Sequence, residues 1–276
     1  MPACQKAFSA GEYAQAVTYA KQALAATPDD RDAYLCLGRA QGGAGDHAAA
    51  IAALQAGDKL SKTPFEHVIA LTLLGNQYKS ARLYPDAIAT YRQSLAIAHA
   101  DKNRRYEMID LNLIGESLQG SGDFKGAIDA YQQGYKLAAN DSERADSHAH
   151  MASVYSAQGM HDQAIEQQLM TSVLEERVGD LDHIAYANLE LARIYLEANQ
   201  PAAAEKTMNN TLPIVMGADS AYWVASVYQM QGRIKYAEGK AEEGRALFQS
   251  GIDIAKKIGA DDLAKEIENT AAGLKM

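Results

Sequence analysis

The residues of this chain that could do chemistry are few, and their spacing does not assemble them into a site. His148 and His150 are two positions apart, which on a helix points their side chains to different faces, whereas two His that share a metal are typically four apart. Asp146, Ser147 and His148 are consecutive, so their side chains diverge and do not indicate a catalytic triad. We therefore predict a non-enzymatic protein with no catalytic residue, no metal and no cofactor.

Composition and motifs exclude further classes of function. The sequence contains no Gly-rich phosphate loop, Cys-x-x-Cys, His-Glu-x-x-His or Gly-x-Ser-x-Gly motif. The 276 residues carry a net charge of −9, which argues against nucleic acid, because its phosphates are bound by clustered Lys and Arg. No stretch approaches the roughly 20 apolar residues of a membrane span. We predict neither nucleic-acid binding nor a membrane span.

The elements that would position any site are indicated by a small residue that returns at a near-fixed interval. The gaps between its copies are 34, 37, 40, 37, 40 and 40 residues, and each copy lies five residues after a turn signal. A period of this length is typical of stacked helix pairs, which bury their apolar faces against their neighbours. The small residues are Ala16, Ala50, Ala87, Ala127, Ala164, Ala204 and Gly244, and the turn signals are Gly11, Gly45, Arg82, Gly122, Gly159, Asn199 and Gly239.

A second small position runs in phase with the first and indicates the other helix of each pair. The residue before it is usually large and apolar, and a bulky residue follows three positions after it in most copies. On a helix these residues share one face, where the small residue lets a partner helix approach closely. The members of this second series are Gly38, Gly75, Gly115, Ala152, Ala192 and Gly232.

The combined pattern resembles the tetratricopeptide repeat. Its clearest fragments are Tyr34-x-x-Leu37-Gly38, Gly122-Asp123-Phe124-x-x-Ala127-Ile128 and Ala23-Leu24-x-x-x-Pro28. The longer period of the later repeats resembles the variant of 37–40 residues found in bacterial regulators and kinesin light chains. The resemblance implies an all-α, right-handed superhelical solenoid of about seven helix-turn-helix repeats with a C-terminal capping helix.

The repeat register divides the chain into segments of one predicted domain, 1–276. Pro213 lies late in the second helix of the sixth repeat, so we expect that helix to end early or to kink there. The predicted repeats are 1–28, 31–64, 65–101, 104–140, 141–180, 181–219 and 220–258, and the predicted cap is 260–274.

The resemblance also implies a binding surface, because in this family the first helix of each repeat lines a concave groove. Asn76 and Asn112 are expected to hold the main chain of a peptide, and Arg193 and Arg233 to attract acidic side chains or a terminal carboxylate. The alternative, that these positions are solvated helix faces, stays open. Transferred position by position, the predicted groove residues are Arg39, Asn76, Lys79, Asn112, Glu116, Gln119, Tyr186, Arg193, Gln229, Arg233 and Tyr236.

The leading functional hypothesis is a scaffold that binds a protein or peptide in this groove. One alternative is a domain of a bacterial signalling system that senses a peptide or small ligand. A second alternative is self-assembly into a homodimer or larger homo-oligomer, through the exposed first repeat or the C-terminal helix.

The two cysteines bear on the compartment. Cys4 and Cys36 fall on the first helices of adjacent repeats, where a disulfide is within reach because it needs α-carbons closer than about 7 Å. Two buried free thiols are the alternative. Cys4 occupies the small position that Gly38 occupies 34 residues later, so the residue that matches Tyr34 would precede Met1. We expect a removed signal peptide, which favours an exported, periplasmic location over a cytoplasmic one.

Overall fold

The computed structural model describes residues 2–218 and 220–274, and these fold into fifteen α-helices with no strand among them. The all-α helical-repeat fold class is therefore confirmed. The helices divide into two compact units, Met1–Ala138 and Ala139–Met276, here called the N-terminal and C-terminal units. The prediction of a single domain stays a prediction.

The N-terminal unit contains eight helices in four consecutive pairs. Each pair falls within one predicted repeat, apart from Pro64, which opens α5 one residue before the predicted boundary. The helices are α1 (Pro2–Ser9), α2 (Tyr13–Ala26), α3 (Arg31–Gly43), α4 (His47–Lys59), α5 (Pro64–Ser80), α6 (Tyr84–Ala100), α7 (Arg104–Ser121) and α8 (Phe124–Leu137).

The C-terminal unit contains three pairs and a final single helix, which corresponds to the predicted cap. Pro213 does not end its helix early, since that helix continues to Gly217. Positions 1, 219, 275 and 276 of the predicted domain lie outside the described residues. The helices are α9 (Asp141–Ala157), α10 (His161–Val178), α11 (Leu181–Glu197), α12 (Pro201–Gly217), α13 (Ala221–Ala237), α14 (Ala241–Lys257) and α15 (Asp261–Gly273).

Local chemistry explains where the helices begin and end. Asp123 caps α8, since its Oδ1 accepts the Gly126 N–H at 2.9 Å, and Thr63 and Glu66 form a reciprocal capping box on α5. Between the two helices of every pair, the turn residue adopts a left-handed conformation, which ends a helix by redirecting the chain. All seven turn signals have positive φ: Gly11, Gly45, Arg82, Gly122, Gly159, Asn199 and Gly239.

The two helices of a pair meet where a small residue of the first helix faces a large one of the second. Gly115 on α7 lies under the ring of Tyr131 on α8, and a Cβ atom at Gly115 would lie 2.5 Å from a Tyr131 ring carbon. Gly232 on α13 lies in the same way under Phe248 on α14. These rings are completely or almost completely buried. The small series therefore sets how closely the helices approach.

A buried carboxyl group interrupts the packing of the N-terminal unit. Asp110 on α7 has no exposed surface, and burial raises the pKa of its side chain to about 7. The hydroxyl groups of Ser94 and Thr72 lower this pKa in part, although neither meets the geometry of a hydrogen bond with the carboxyl. The fold therefore favours the protonated form of Asp110.

Replacing Gly115 by Ala tests the helix contact. Ala favours a helix over Gly by about 1 kcal/mol, but overpacking against Tyr131 costs roughly 1–3 kcal/mol, so we expect a melting temperature lower by several degrees. Gly217→Ala is the matched control, because Gly217 has negative φ and no atom within 4 Å of an added Cβ. A Gly115→Ala variant that melts no lower than the control would contradict the contact.

Replacing Asp110 by Asn tests the buried carboxyl. With a folded pKa of about 7 against 3.8 when unfolded, Asp110 imposes no ionisation penalty below pH 4. Between pH 4 and 7 the ionisation penalty of Asp110 grows, and it lowers the free energy of unfolding by up to about 4 kcal/mol. We expect denaturant titrations to show Asp110→Asn gaining stability relative to wild type across this window. Asp129→Asn, at an exposed position on α8, controls for the loss of one charge. A difference between Asp110→Asn and wild type that does not change with pH would refute the assignment.

Candidate functional site

In the N-terminal unit, the predicted groove residues make contacts with the unit itself. The Lys79 ammonium on α5 forms an ion pair with Glu116 on α7. The Tyr91 hydroxyl on α6 donates to Asn76 Oδ1 at 2.7 Å, so the carbonyl of this amide satisfies a buried tyrosine. These side chains join neighbouring helices of the unit.

The other predicted groove residues of this unit, Arg39, Asn112 and Gln119, do not share a common set of contacts. The Arg39 guanidinium lies 4.2 Å from the centre of the Phe8 ring, as in a cation–π contact. Asn112 Oδ1 is buried and accepts no hydrogen bond from the described residues, while Gln119 is half-buried in the last part of α7. Truncation of Asn76 would leave the Tyr91 hydroxyl without its acceptor, so we expect it to lower the free energy of unfolding.

In the C-terminal unit, α11, α13 and α15 enclose a cavity of about 670 Å³, and α9, α10 and α11 enclose one of about 350 Å³. The two share Tyr186, Glu190 and Arg193 on α11, so they adjoin, and together they are called the C-terminal groove. The larger part contains four of the five residues predicted for this unit: Tyr186, Arg193, Gln229 and Arg233.

The charge of Arg193 is balanced within the groove. Its Nε donates to Glu190 at 2.8 Å and its Nη1 to Glu197 at 2.5 Å. Burial lowers the pKa of Arg193, but the two carboxylates outweigh it and the pKa is raised overall. Glu197 also accepts the Ser156 hydroxyl at 2.6 Å, which fixes this carboxylate from α9.

Arg233 differs from Arg193, although the two occupy the same position in successive repeats. It is half-buried and makes no hydrogen bond or ion pair with the residues that the structure describes. Burial lowers the pKa of Arg233 and the nearby Arg193 lowers it further, while Glu197 and Glu190 offset this only in part. A guanidinium remains protonated at neutral pH under such shifts. The groove therefore contains a partly desolvated positive charge that forms no ion pair with a described residue.

Aromatic side chains line the same part of the groove. Tyr186 and Tyr222 are 59% and 46% exposed, which leaves most of one ring and nearly half of the other available for contact. The Trp223 ring packs edge-on against Tyr222 with centroids 5.2 Å apart, and its Nε1 donates to Asp182 at 2.5 Å. These contacts hold Trp223 in place as a wall of the groove. Neither Tyr222 nor Trp223 is among the groove residues predicted from the sequence.

The helix α15 closes the groove instead of serving only as a polar cap. The Gln229 side-chain amide donates to Glu266 Oε1 at 3.2 Å and to Thr270 Oγ1 at 3.1 Å. Asn269 also lines the cavity. A signal for this was present, because a further 40-residue step in the register makes Asn269 the counterpart of Gln229.

Tyr236 is the one predicted residue of this unit that packs elsewhere. Its ring lies against Gly244 and 5.8 Å from the Phe248 ring, both on α14. It therefore contributes to the contact between α13 and α14.

Ser147 and His148, two of the three consecutive residues with potentially catalytic side chains, contact other residues of their own unit. Ser147 is buried and donates its hydroxyl to the Glu143 carbonyl at 3.2 Å, and His148 Nδ1 lies 2.8 Å from Gln167 Oε1. Over residues 2–218 and 220–274, no group of three or more His, Cys, Asp or Glu has a metal-binding arrangement. Within the same ranges, no helix combines the length and hydropathy that crossing a membrane requires.

Comparisons with known proteins agree with this architecture. Two tetratricopeptide-repeat family models match the sequence, at residues 5–63 and 70–105. The fold and groove define a helical-repeat protein that displays side chains from successive first helices. Residues 5–63 and 70–105 are therefore similar in sequence to tetratricopeptide repeats, and the helices of the described residues have the all-α fold of such repeats.

Solved structures match most of the chain. A kinesin light chain-like protein from Podosopora anserina is 16% identical, with a TM-score of 0.61 over 72% of this chain and 99% of that one. The apo form of RapI is 11% identical, with a TM-score of 0.67 over 94% and 79%. A signal-transduction ATPase with a tetratricopeptide-repeat sensor, from Pyrococcus horikoshii, is 14% identical, with a TM-score of 0.70 over 96% and 43%. These identities support the superhelical repeat fold alone. No protein of curated function matches the sequence significantly.

The predicted cysteine pair lies in the N-terminal unit. Cys4 on α1 and Cys36 on α3 form a disulfide, with their α-carbons 6.5 Å apart. Both residues are buried, in a cluster with Ala16 and Ala40. The bond fastens the eight-residue α1 to the second repeat.

Reduction should destabilise the N-terminal unit. A disulfide between residues 32 apart contributes about 3–4 kcal/mol through the entropy of the unfolded chain. We expect dithiothreitol to lower the melting temperature of the wild type. The double variant Cys4→Ala/Cys36→Ala should melt at one temperature with or without reductant. If the reductant leaves the wild-type melt unchanged as well, the two sulfurs are not bonded in solution.

Proposed function

We propose that the C-terminal groove binds an extended peptide segment through a carboxylate, and that the protein acts as a non-enzymatic scaffold. The observation that carries the proposal is the half-buried Arg233 guanidinium, which forms no ion pair with any residue of 2–218 or 220–274. Tetratricopeptide-repeat neighbours favour a protein-binding scaffold in general, and the ligand chemistry is inferred from the groove of this chain.

The electrostatics favour an anion beside Arg233. The charge of Arg233 has lost part of its hydration, and Arg193, a basic residue close enough to lower its pKa, already has two carboxylate partners. A ligand carboxylate would form charge-assisted, two-pronged hydrogen bonds with the guanidinium fork. Such a bond replaces the hydration that Arg233 has already lost, so binding costs less than at an exposed arginine.

The surroundings of Arg233 suit the rest of a peptide. The exposed rings of Tyr186 and Tyr222 offer apolar faces with hydroxyl groups at their edges, which suit ligand side chains next to the carboxylate. Gln229 uses its amide nitrogen on α15, which leaves its carbonyl oxygen to accept a peptide N–H. Asn269 supplies both a donor and an acceptor beside it.

The second candidate function for the same groove is that of a regulatory domain that senses a peptide. It shares the ligand chemistry and differs in what binding does to an effector. Self-assembly through the first repeat or the C-terminal helix is less favoured for α15, because that helix forms a wall of the groove.

Substitution of Arg233 tests the proposal with defined peptides. A peptide library is screened for binders, and each binder is compared with its C-terminally amidated form and with a form whose acidic side chains are amides. This shows whether the carboxylate is terminal or in a side chain. We expect Arg233→Ala to weaken binding by tenfold or more, as is typical of a lost charged hydrogen bond, and to leave unchanged the weak binding of the form that lacks the critical carboxylate.

Arg245→Ala is the matched control, since Arg245 lies on the second helix α14, outside the groove, and pairs with Glu242. Circular dichroism should show unchanged folding for both variants. If Arg233→Ala weakens the acid and amide forms of a peptide equally, or weakens neither, Arg233 does not bind a carboxylate.

A further inference from the structure

An apolar strip lies on the outer face of α10 in the C-terminal unit. Leu169, Met170 and Val173 are 41%, 44% and 42% exposed, although they follow one another along a single helix face. None of the three lines the C-terminal groove. The strip therefore lies on a surface that the proposed peptide site does not use.

The repeat itself does not require apolar residues at these positions. In the repeat register, the counterparts of Leu169, Met170 and Val173 on the other second helices from α8 onward are polar or, once, proline. Those second helices pack without an apolar residue at the outer positions. Packing within the repeats therefore does not explain the apolar strip on α10. The counterparts are Gln132, Gln133 and Lys136 on α8, Asn209, Asn210 and Pro213 on α12, and Gln249, Ser250 and Asp253 on α14.

Opposite charges flank the strip. Glu166 lies one turn before Met170 and Arg177 one turn after Val173, and both are exposed. Neither makes a hydrogen bond or an ion pair with any residue from 2–218 or 220–274. Both charges are therefore available to a partner that carries the complementary order.

A second copy of α10, placed antiparallel to the first, presents its charges in the complementary order. Met170 and Val173 are equally far from the midpoint between positions 171 and 172, and so are Glu166 and Arg177. When two copies of α10 are antiparallel about a two-fold axis at this midpoint, Met170 faces the Val173 position of the other copy and Glu166 faces the Arg177 position. The two ion pairs are then about 16 Å apart, from 11 residues at 1.5 Å each. A two-fold interface must be self-complementary, and this strip meets that condition.

We propose that the protein forms an antiparallel homodimer through the outer face of α10. The surface differs from the first repeat and the C-terminal helix, where the sequence suggested self-assembly. Because the strip and the groove use different residues, the dimer keeps both grooves open and can bind two ligand segments at once, which strengthens binding to a multivalent partner.

The patch is small, so the dimer is expected to be weak. Three apolar side chains and two ion pairs fall well below the roughly 1,600 Å² of a standard interface. Association should therefore appear as a mass that depends on concentration. Sedimentation equilibrium from about 5 to about 500 μM covers the range expected for an interface of this kind.

The first experiment compares Met170→Lys with Asn210→Lys, its counterpart one repeat later on α12. We expect the wild type and Asn210→Lys to approach the dimer mass as concentration rises, and Met170→Lys to weaken dimerisation at least tenfold. All three should have the same circular dichroism melt, since both positions are exposed. A wild type that stays monomeric to 500 μM, or a Met170→Lys variant that dimerises as well as Asn210→Lys, overturns the proposal.

The second experiment tests the antiparallel geometry by charge reversal. Glu166→Lys alone places two positive charges together at each end of the interface, and Arg177→Glu alone places two negative charges there. Each single variant should weaken the dimer roughly fivefold. The double variant restores opposite charges and should dimerise within about twofold of wild type. A double variant no tighter than the single variants overturns the antiparallel arrangement.

Discussion

The contact between a small residue on one helix and a large ring on the next is the interaction on which the rest of this structure depends. Gly115 under Tyr131 and Gly232 under Phe248 let two helices pack at close range, and each close contact fixes the rotation of the first helix about its axis. That rotation decides which side chains face away from the partner helix. On α13 this orientation leaves Gln229 and Arg233 lining the C-terminal groove.

The charge balance of the groove follows from this orientation but is not uniform along it. Arg193 and Arg233 are presented alike, yet Glu190 and Glu197 lie one turn from Arg193 on its own helix. The corresponding positions on α13 are Met230 and Ala237, which carry no charge. Two arginines at equivalent positions therefore differ in what they can bind, because local i, i+3 and i, i+4 pairs neutralise only one of them.

The two faces of the C-terminal unit separate two kinds of interaction. First helices and α15 supply the polar and aromatic part of the groove around Arg233, while the outer face of the second helix α10 has a short apolar strip with a charge at each end. A helix-pair repeat permits this division, since each helix has one face committed to packing and one face free to vary. In the N-terminal unit the equivalent polar positions join neighbouring helices. Examples are the Lys79–Glu116 ion pair and the hydrogen bond from Tyr91 to Asn76.

The sequence by itself determined the helix pairs and their register, because the small positions and the left-handed turns are local and recur. The sequence also predicted that Tyr186, Arg193, Gln229 and Arg233 share one surface, since side-chain direction follows from position on a helix. These four residues line one cavity, and their role in binding stays a prediction. Only the tertiary structure decided which of the predicted groove residues already make hydrogen bonds or packing contacts within the protein. Tyr91 donates to the side-chain carbonyl of Asn76, Tyr236 packs on α14, and α15 completes the groove. Arg233 forms no ion pair within the part of the chain that the structure describes. The physical reason is that periodicity fixes the direction of a side chain, while its hydrogen bonds and hydration depend on atoms from other helices that only folding brings within reach.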